Sequence, residues 1–288
     1  MKDDTRAVLA GRHPAPDRRF VNPPVYHAST VLFDTVADLE ERDRTAPGDG
    51  VTYGVHGTPG TFAVEEAVRA LEGGFRTRLC NSGLQAVTAP LLCLLSAGDH
   101  LLMTDSCYGP TRAFCNGMLR RMGVETTYYD PLVGVGIREL IRPETRVVFV
   151  ESPGSWTFEM QDIPAIAEEA RRAGALVVMD NTWASPLYYK PFEHGVDVSI
   201  QAATKYLSGH SDLVMGTVTA TEAAYPAIRA GWAELGLCAS PDDAFLCLRG
   251  MRTLHARMPR HWESGLRVAE WLAGGPEVAE VIHPAMEH

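Results

Sequence analysis

The stretch Asp162-Ile-Pro-Ala-Ile-Ala-Glu-Glu-Ala-Arg-Arg-Ala-Gly-Ala-Leu-Val-Val-Met-Asp180 decides the fold class. Asp162 is a good helix N-cap, Ile163, Ile166, Ala167, Ala170 and Ala173 form an apolar stripe, and Gly174 is a C-terminal stop. The run from Ala175 to Met179 is apolar throughout, which predicts a strand buried on both faces rather than one with a wet side. A helix followed by a fully apolar strand is the repeating unit of an α/β protein, whose active site lies at the carboxyl ends of the strands. Asp180 stands at such an end.

The alternation extends outward from this unit. Upstream, Val64, Ala67, Val68 and Leu71 fall at helical spacing before Gly73-Gly74. Leu84 to Leu95 reads as a buried helix, His100 to Met103 as a strand, Pro110 to Arg121 as a helix, and Val124 to Tyr128 and Arg146 to Val150 as strands. The expected fold class is therefore α/β, a mostly parallel sheet covered by helices on both faces. Residues 1–50, rich in Pro, Asp and Arg and ending in the turn Ala46-Pro-Gly-Asp-Gly50, are expected to form an extended N-terminal arm, and residues 51–240 the main α/β domain. Beyond it, helical patterns at Asp242 to Arg257 and Pro259 to Leu272, with a short strand at Val278 to Ile282, make residues 241–288 the opening of an incomplete C-terminal subdomain.

At 288 residues, 45% hydrophobic and 22% charged, the chain is long enough for one large domain and an appendage. A net charge of −10 with no lysine or arginine stripe argues against a nucleic-acid partner. The first residues have no apolar signal core, and the longest apolar stretch, around Ala89 to Leu95, is short and holds Pro90, so a cytoplasmic protein with no membrane segment is expected. Cys80, Cys93, Cys107, Cys115, Cys238 and Cys247 show no C-x-x-C pair and read as reduced, mainly buried thiols. The histidines show no metal-ligand spacing, so no metal is expected.

Chemistry concentrates at the predicted strand ends. Lys205 follows Asp180 by 25 residues and closes Val198-Ser-Ile-Gln-Ala-Ala-Thr204. A carboxylate at one strand end can hold a pyridine nitrogen protonated while a lysine on the next forms a Schiff base with an aldehyde, which is what pyridoxal phosphate requires. The same two residues also fit a surface ion pair. In Asn81-Ser-Gly-Leu-Gln85 the amides of Gly83 and Leu84 open a helix and can bind a phosphate, or simply make an N-terminal turn. Tyr108 follows a strand and can stack on a pyridine, or be an ordinary core or surface tyrosine. Glu151-Ser-Pro-Gly-Ser155 would line the site wall, with no role assignable from chemistry alone. Three adjacent residues, His210-Ser-Asp212, cannot form a catalytic relay, and no G-x-G-x-x-G follows a strand.

Together, Glu151-Ser-Pro-Gly-Ser-Trp156, Met179-Asp-Asn-Thr-Trp-Ala-Ser-Pro186 and Ser199-Ile-Gln-Ala-Ala-Thr-Lys-Tyr-Leu-Ser-Gly-His-Ser-Asp212 resemble the cysteine/methionine-metabolism family of pyridoxal-phosphate enzymes, from about Val21 to Pro284. Asp180-Asn-Thr-Trp183 leans toward its carbon–sulfur β-lyase branch rather than the γ-lyases and γ-synthases. The resemblance implies the fold-type I transferase architecture and pyridoxal 5′-phosphate as cofactor. It also implies a role in methionine metabolism, with a sulfur amino acid such as cystathionine cleaved to a thiol, pyruvate and ammonia. It makes Lys205 the Schiff-base lysine and proton shuttle, Asp180 the partner of the pyridine nitrogen, and Tyr108 the stacked ring. Gly83, Leu84 and Thr204 match phosphate ligands. Tyr53 matches a tyrosine that enters the neighbouring subunit's site, which implies a tetramer assembled from dimers. Two departures accompany it. Val55 stands where the family has an arginine on the cofactor phosphate, a loss of typically about 1.5–3 kcal/mol, with His56 as the nearest replacement. The subdomain carrying the arginine for the substrate carboxylate is mostly absent. On that ground, a cofactor-binding but catalytically impaired homologue or fragment stands as the alternative.

Overall fold

The computed structural model describes residues 1–12, 20–45 and 50–286. In chain order the regular elements are α1 (Asp3–Leu9), α2 (Val36–Thr45), α3 (Pro59–Glu72), β1 (Arg76–Cys80), α4 (Gly83–Leu94), β2 (His100–Thr104) and α5 (Gly109–Phe114). They continue with β3 (Glu125–Tyr129), β4 (Thr145–Glu151), α6 (Ile163–Arg172), β5 (Leu176–Asp180), α7 (Ser185–Tyr188) and β6 (Val198–Gln201), and end with β7 (Gly216–Ala220), α8 (Tyr225–Glu234), α9 (Pro241–Met251) and α10 (Leu254–Ala273).

The strands form one seven-stranded sheet in the order β1-β7-β6-β5-β4-β2-β3. β3, β2, β4, β5 and β6 run parallel, while β7 lies antiparallel to both its neighbours, β6 and β1. Two reversals restore direction, so β1 points the same way as β2 to β6. Every strand but β7 therefore delivers its C-terminal end to one edge of the sheet, and β7 begins there. This geometry assembles the site.

The apolar strands are buried on both faces by alternation of their side chains. From β4, Val147 and Phe149 join the cluster formed with α4 and α8, whereas Val148 and Val150 pack with Ile163, Ile166, Ala167 and Ala170 of α6. A third cluster joins α1, α3, α9 and the start of α10 to Leu79, Leu207 and Met215. The α6 unit folds as its sequence reads: the Asp162 side chain accepts the Ala165 amide at 3.2 Å, and Gly174 takes a left-handed φ of 74° that turns the chain into β5. Ala173 is exposed, so the buried stripe ends one turn earlier than expected.

Other departures have local causes. The N-terminal segment is not wholly extended, because α1 buries Ala7 against α3 and residues 36–45 coil into α2. The expected turn at 46–50 lies outside the described residues except for Gly50. After α5 the helix widens into a π turn at Cys115–Leu119. The helical patterns at 242–257 and 259–272 break instead at Arg252-Thr253, and α10 runs through Pro259, its sixth residue, with the loss of the one bond that a proline cannot donate. Residues 278–282 form no strand. β1, β7 and α8 carry too few apolar residues in period to be read in advance.

Candidate active site

Five segments converge on the carboxyl edge of the sheet. From β1 comes Asn81-Ser82-Gly83, opening α4. The Ser82 side chain caps the helix by accepting the Gln85 amide at 3.0 Å, while the Gln85 side chain reaches back to the Asn81 amide at 2.9 Å. The amides of Gly83 and Leu84 are the first two of the helix and have no intrahelical acceptor. Gly83 is a steric requirement: a Cβ there would stand 2.6 Å from the Cβ of Ala202, and one on Gly216 would stand 2.3 Å from the Ser82 carbonyl oxygen. The α4 N-terminus is thus wedged between the end of β6 and the start of β7, and only glycine lets the backbones approach.

From β5 comes Asp180. Its carboxylate accepts the Thr182 amide at 3.0 Å, and the Thr182 hydroxyl in turn accepts the Ala202 amide at 2.8 Å. That two-step bridge fastens the acid to the loop that carries Lys205 three residues later. Burial raises the Asp180 pKa above the ordinary carboxylate value, and the Thr182 hydrogen bonds pull it partly back. Lys205 itself is exposed, its backbone amide bonded to Ala202 O at 2.9 Å, and its Nζ makes no hydrogen bond or ion pair among the described residues. Thr204 is fully engaged. Its hydroxyl donates to Met215 O at 3.1 Å and accepts the Met215 amide at 3.0 Å, so it ties the lysine loop to β7 and must turn away from Met215 to hold a phosphate.

From β2 comes Tyr108, the residue before α5, which is 45% exposed. Its amide donates to Glu151 Oε2 at 2.8 Å. Glu151 ends β4 and pairs in register with Asp180, and burial together with the Asp180 charge pushes its pKa up to about 8. Tyr53 is the exception. It is 48% exposed and lines a cavity of about 500 Å³ with Tyr26, His56, Arg229, Trp232 and, from the segment that opens α4, Asn81, while Lys205, Thr204, Asp180, Tyr108, Gly83 and Leu84 do not line it. Val55 lies in the short 3₁₀ turn Gly54–His56, where Thr52 Oγ1 meets His56 Nδ1 at 2.7 Å.

Several residues that shape the site escaped the sequence reading. Ser82 carries a visible signal, the Ser-x-x-Gln spacing of a capped helix start. Thr182 and Ala202 stood in the quoted motifs without a role, and Gly216 in none of them, because each acts on a partner that only the sheet order brings near. Glu151 was visible as a motif residue but without a role. On the same edge, Pro153, Met160, Trp183, Tyr206, Met258 and Trp262 help line an apolar cavity of about 670 Å³.

The chain belongs to the Cys/Met metabolism PLP-dependent enzyme family, which it matches over residues 4–288. It is 52% identical over 98% of its length to a putative cystathionine beta-lyase of Rhizobium johnstonii, covering 70% of that protein. It is 41% identical over 99% of its length to cystathionine beta-lyase MetC of Escherichia coli, covering 73% of it. The crystal structure of metB from Corynebacterium glutamicum matches the whole chain with a TM-score of 0.92 at 30% identity, and the chain covers 73% of it. Pyridoxal phosphate is the family's cofactor. The residues present fit it: a glycine-opened helix start into which no Cβ fits, an unpartnered lysine amine and a buried carboxylate meet on one sheet edge.

Proposed function

We propose that this chain is a pyridoxal-phosphate-dependent carbon–sulfur β-lyase that converts cystathionine or a related sulfur amino acid, with water, to a thiol, pyruvate and ammonia. The observation that carries the reading is the delivery of Asp180 and Lys205 by adjacent parallel strands to the same edge, joined through Thr182 and Ala202. Pyridoxal phosphate, when bound, supplies an electron sink for the pair left behind when the substrate's α-proton departs. The chain supplies the rest. Lys205 Nζ would hold the aldehyde and, as a free amine, would take the substrate's α-proton. Asp180, whose pKa burial raises and the Thr182 hydrogen bonds pull partly back, would pair with the ring nitrogen and hold it protonated. The amides of Gly83 and Leu84, aided by the α4 dipole, hold the phosphate. Tyr108 covers one ring face. Loss of the α-proton and departure of the sulfur from the β-carbon then complete the elimination.

In this reading residues 51–240 form the cofactor-binding unit and residues 1–50 an arm. Residues 241–288 begin a second subdomain. Tyr53, in a cavity that Lys205 does not line, serves the site of a neighbouring copy, in a dimer-based tetramer in the cytoplasm. No helix among the described residues is long and apolar enough to cross a membrane. An impaired homologue and a γ-lyase or γ-synthase are less favoured, given the β-lyase relatives. The test adds pyridoxal phosphate to wild type and Lys205→Ala, reading the visible absorption band and the products from cystathionine. The reading requires a band that Lys205→Ala lacks, and homocysteine with pyruvate. Cysteine as the released thiol would move the chain to the γ-branch, and a band that survives in the variant would remove Lys205 from its role.

A further inference from the structure

We propose that Glu151 is a positioning residue of this site: its carboxyl fastens the Tyr108 turn and the Ser155 turn to the end of β4, and so sets the tyrosine ring beside Asp180. The inference rests on the cofactor site proposed above and deepens it. The tether itself is a property of the cofactor-free chain.

Glu151 is 8% exposed and ends a strand whose four preceding residues, Val147 to Val150, are apolar and fully buried. A carboxyl in such a place is costly to desolvate unless its oxygens are occupied. Both are. Oε2 accepts the Tyr108 amide at 2.8 Å and Oε1 accepts the Ser155 hydroxyl at 2.5 Å. The Ser155 amide donates to Ser106 O at 2.8 Å, and a Cβ on Gly154 would stand 2.5 Å from the Ser106 side chain, so the two turns touch across a glycine. Beneath them the Gln161 side-chain amide donates to Glu151 O and Thr104 Oγ1, both at 2.9 Å, and locks the ends of β4 and β2 together. Glu151 is thus rigid, and Tyr108 depends on it. The tyrosine is half exposed and begins a helix of only six residues, and its backbone amide is the group that reaches the sheet.

The contact survives protonation. In the neutral acid the carbonyl oxygen still receives the Tyr108 amide, and the hydroxyl can donate to Ser155 Oγ along the same line. Burial and the neighbouring Asp180 charge favour that neutral form. Glutamine reproduces it, with a carbonyl for Tyr108 and an amide for Ser155, whereas leucine fills the space and offers no acceptor.

The experiment compares wild type, Glu151→Gln and Glu151→Leu. Amide hydrogen exchange of the 104–112 segment is measured without cofactor, followed by visible circular dichroism of added pyridoxal phosphate. In Glu151→Leu the Tyr108 amide should exchange about tenfold faster, the scale of one lost buried hydrogen bond, while α6 and β5 stay protected. The dichroic band should weaken, and Glu151→Gln should restore both readouts. Equal protection of Tyr108 in all three proteins would overturn the proposal, as would a Glu151→Gln variant as perturbed as Glu151→Leu. Should Glu151→Leu not fold, Glu151→Ala replaces it: it also removes both acceptors, and unchanged exchange across 104–112 would equally overturn the tether. A wild type that gives no cofactor band would sink the proposed function alone, since the exchange measurement needs no cofactor.

Discussion

Glu151 and Asp180 share one rung of the sheet, each the last residue of its strand, and both carboxyls are pushed above their ordinary pKa. Two acids so placed resist simultaneous ionisation. A group whose folded pKa lies above its unfolded value binds more protons when folded, so its contribution to stability is present at low pH and lost as pH rises through the folded value. For Glu151 the window runs from about 4.5 to about 8. Its buried neighbour Cys107, raised to about 11, stays a thiol throughout. Stability should therefore fall across this window by at most about 1.4 kcal/mol per pH unit from Glu151. Denaturant melts at pH 5, 6.5 and 8 should show a shallower fall in Glu151→Gln; identical slopes would mean that Glu151 is charged in the folded protein.

Gly83→Ala places a methyl 2.6 Å from Ala202 and must push the α4 N-terminus off the lysine loop. Overpacking of this kind costs roughly 1–3 kcal/mol. Thermal melting should report that loss, and a cofactor titration should give weaker binding. The control, Gly98→Ala, meets no neighbour within 4 Å but has φ of 93°, so it should cost stability through backbone strain without touching cofactor affinity.

Thr182→Val removes the acceptor for the Ala202 amide and one of the groups that lowers the Asp180 pKa. A destabilisation of about 1–3 kcal/mol is expected. Because Asp180 then ionises less readily, the pH at which the cofactor's visible band reaches half its change should move in the variant. An unmoved titration would show that the hydroxyl serves only the loop.

Phe149→Ala empties a fully buried position between β4 and the α4 face and should cost about 3–5 kcal/mol. Urea unfolding measures it. Because the sheet carries every site segment, the surviving folded fraction should bind cofactor with reduced occupancy but an unshifted band.

Much of this was legible in the chain. The α6–β5 unit could be read because an N-cap, a helical stripe, a glycine stop and an apolar run are local signals, each fixed by backbone and side-chain chemistry within a few residues. The positions of Asp180 at a strand end and of Lys205 in the loop after the next strand could be read from the apolar runs before them, while their roles on a cofactor belong to the proposed function. The antiparallel β7 was not legible, since Gly216–Ala220 alternates small and polar residues and is buried only by its neighbours. Nor was the role of Glu151, whose partner Tyr108 lies 43 residues away.

The sequence alone determined which residues could do chemistry and that they end strands, because propensity, patterning and side-chain reactivity are local properties. Only the tertiary structure decided that those ends meet. The order β1-β7-β6-β5-β4-β2-β3 puts the α4 N-terminus, Asp180 and Lys205 on one edge. Strand order is set by which apolar faces bury one another across the whole chain, a long-range packing problem that no window of residues contains.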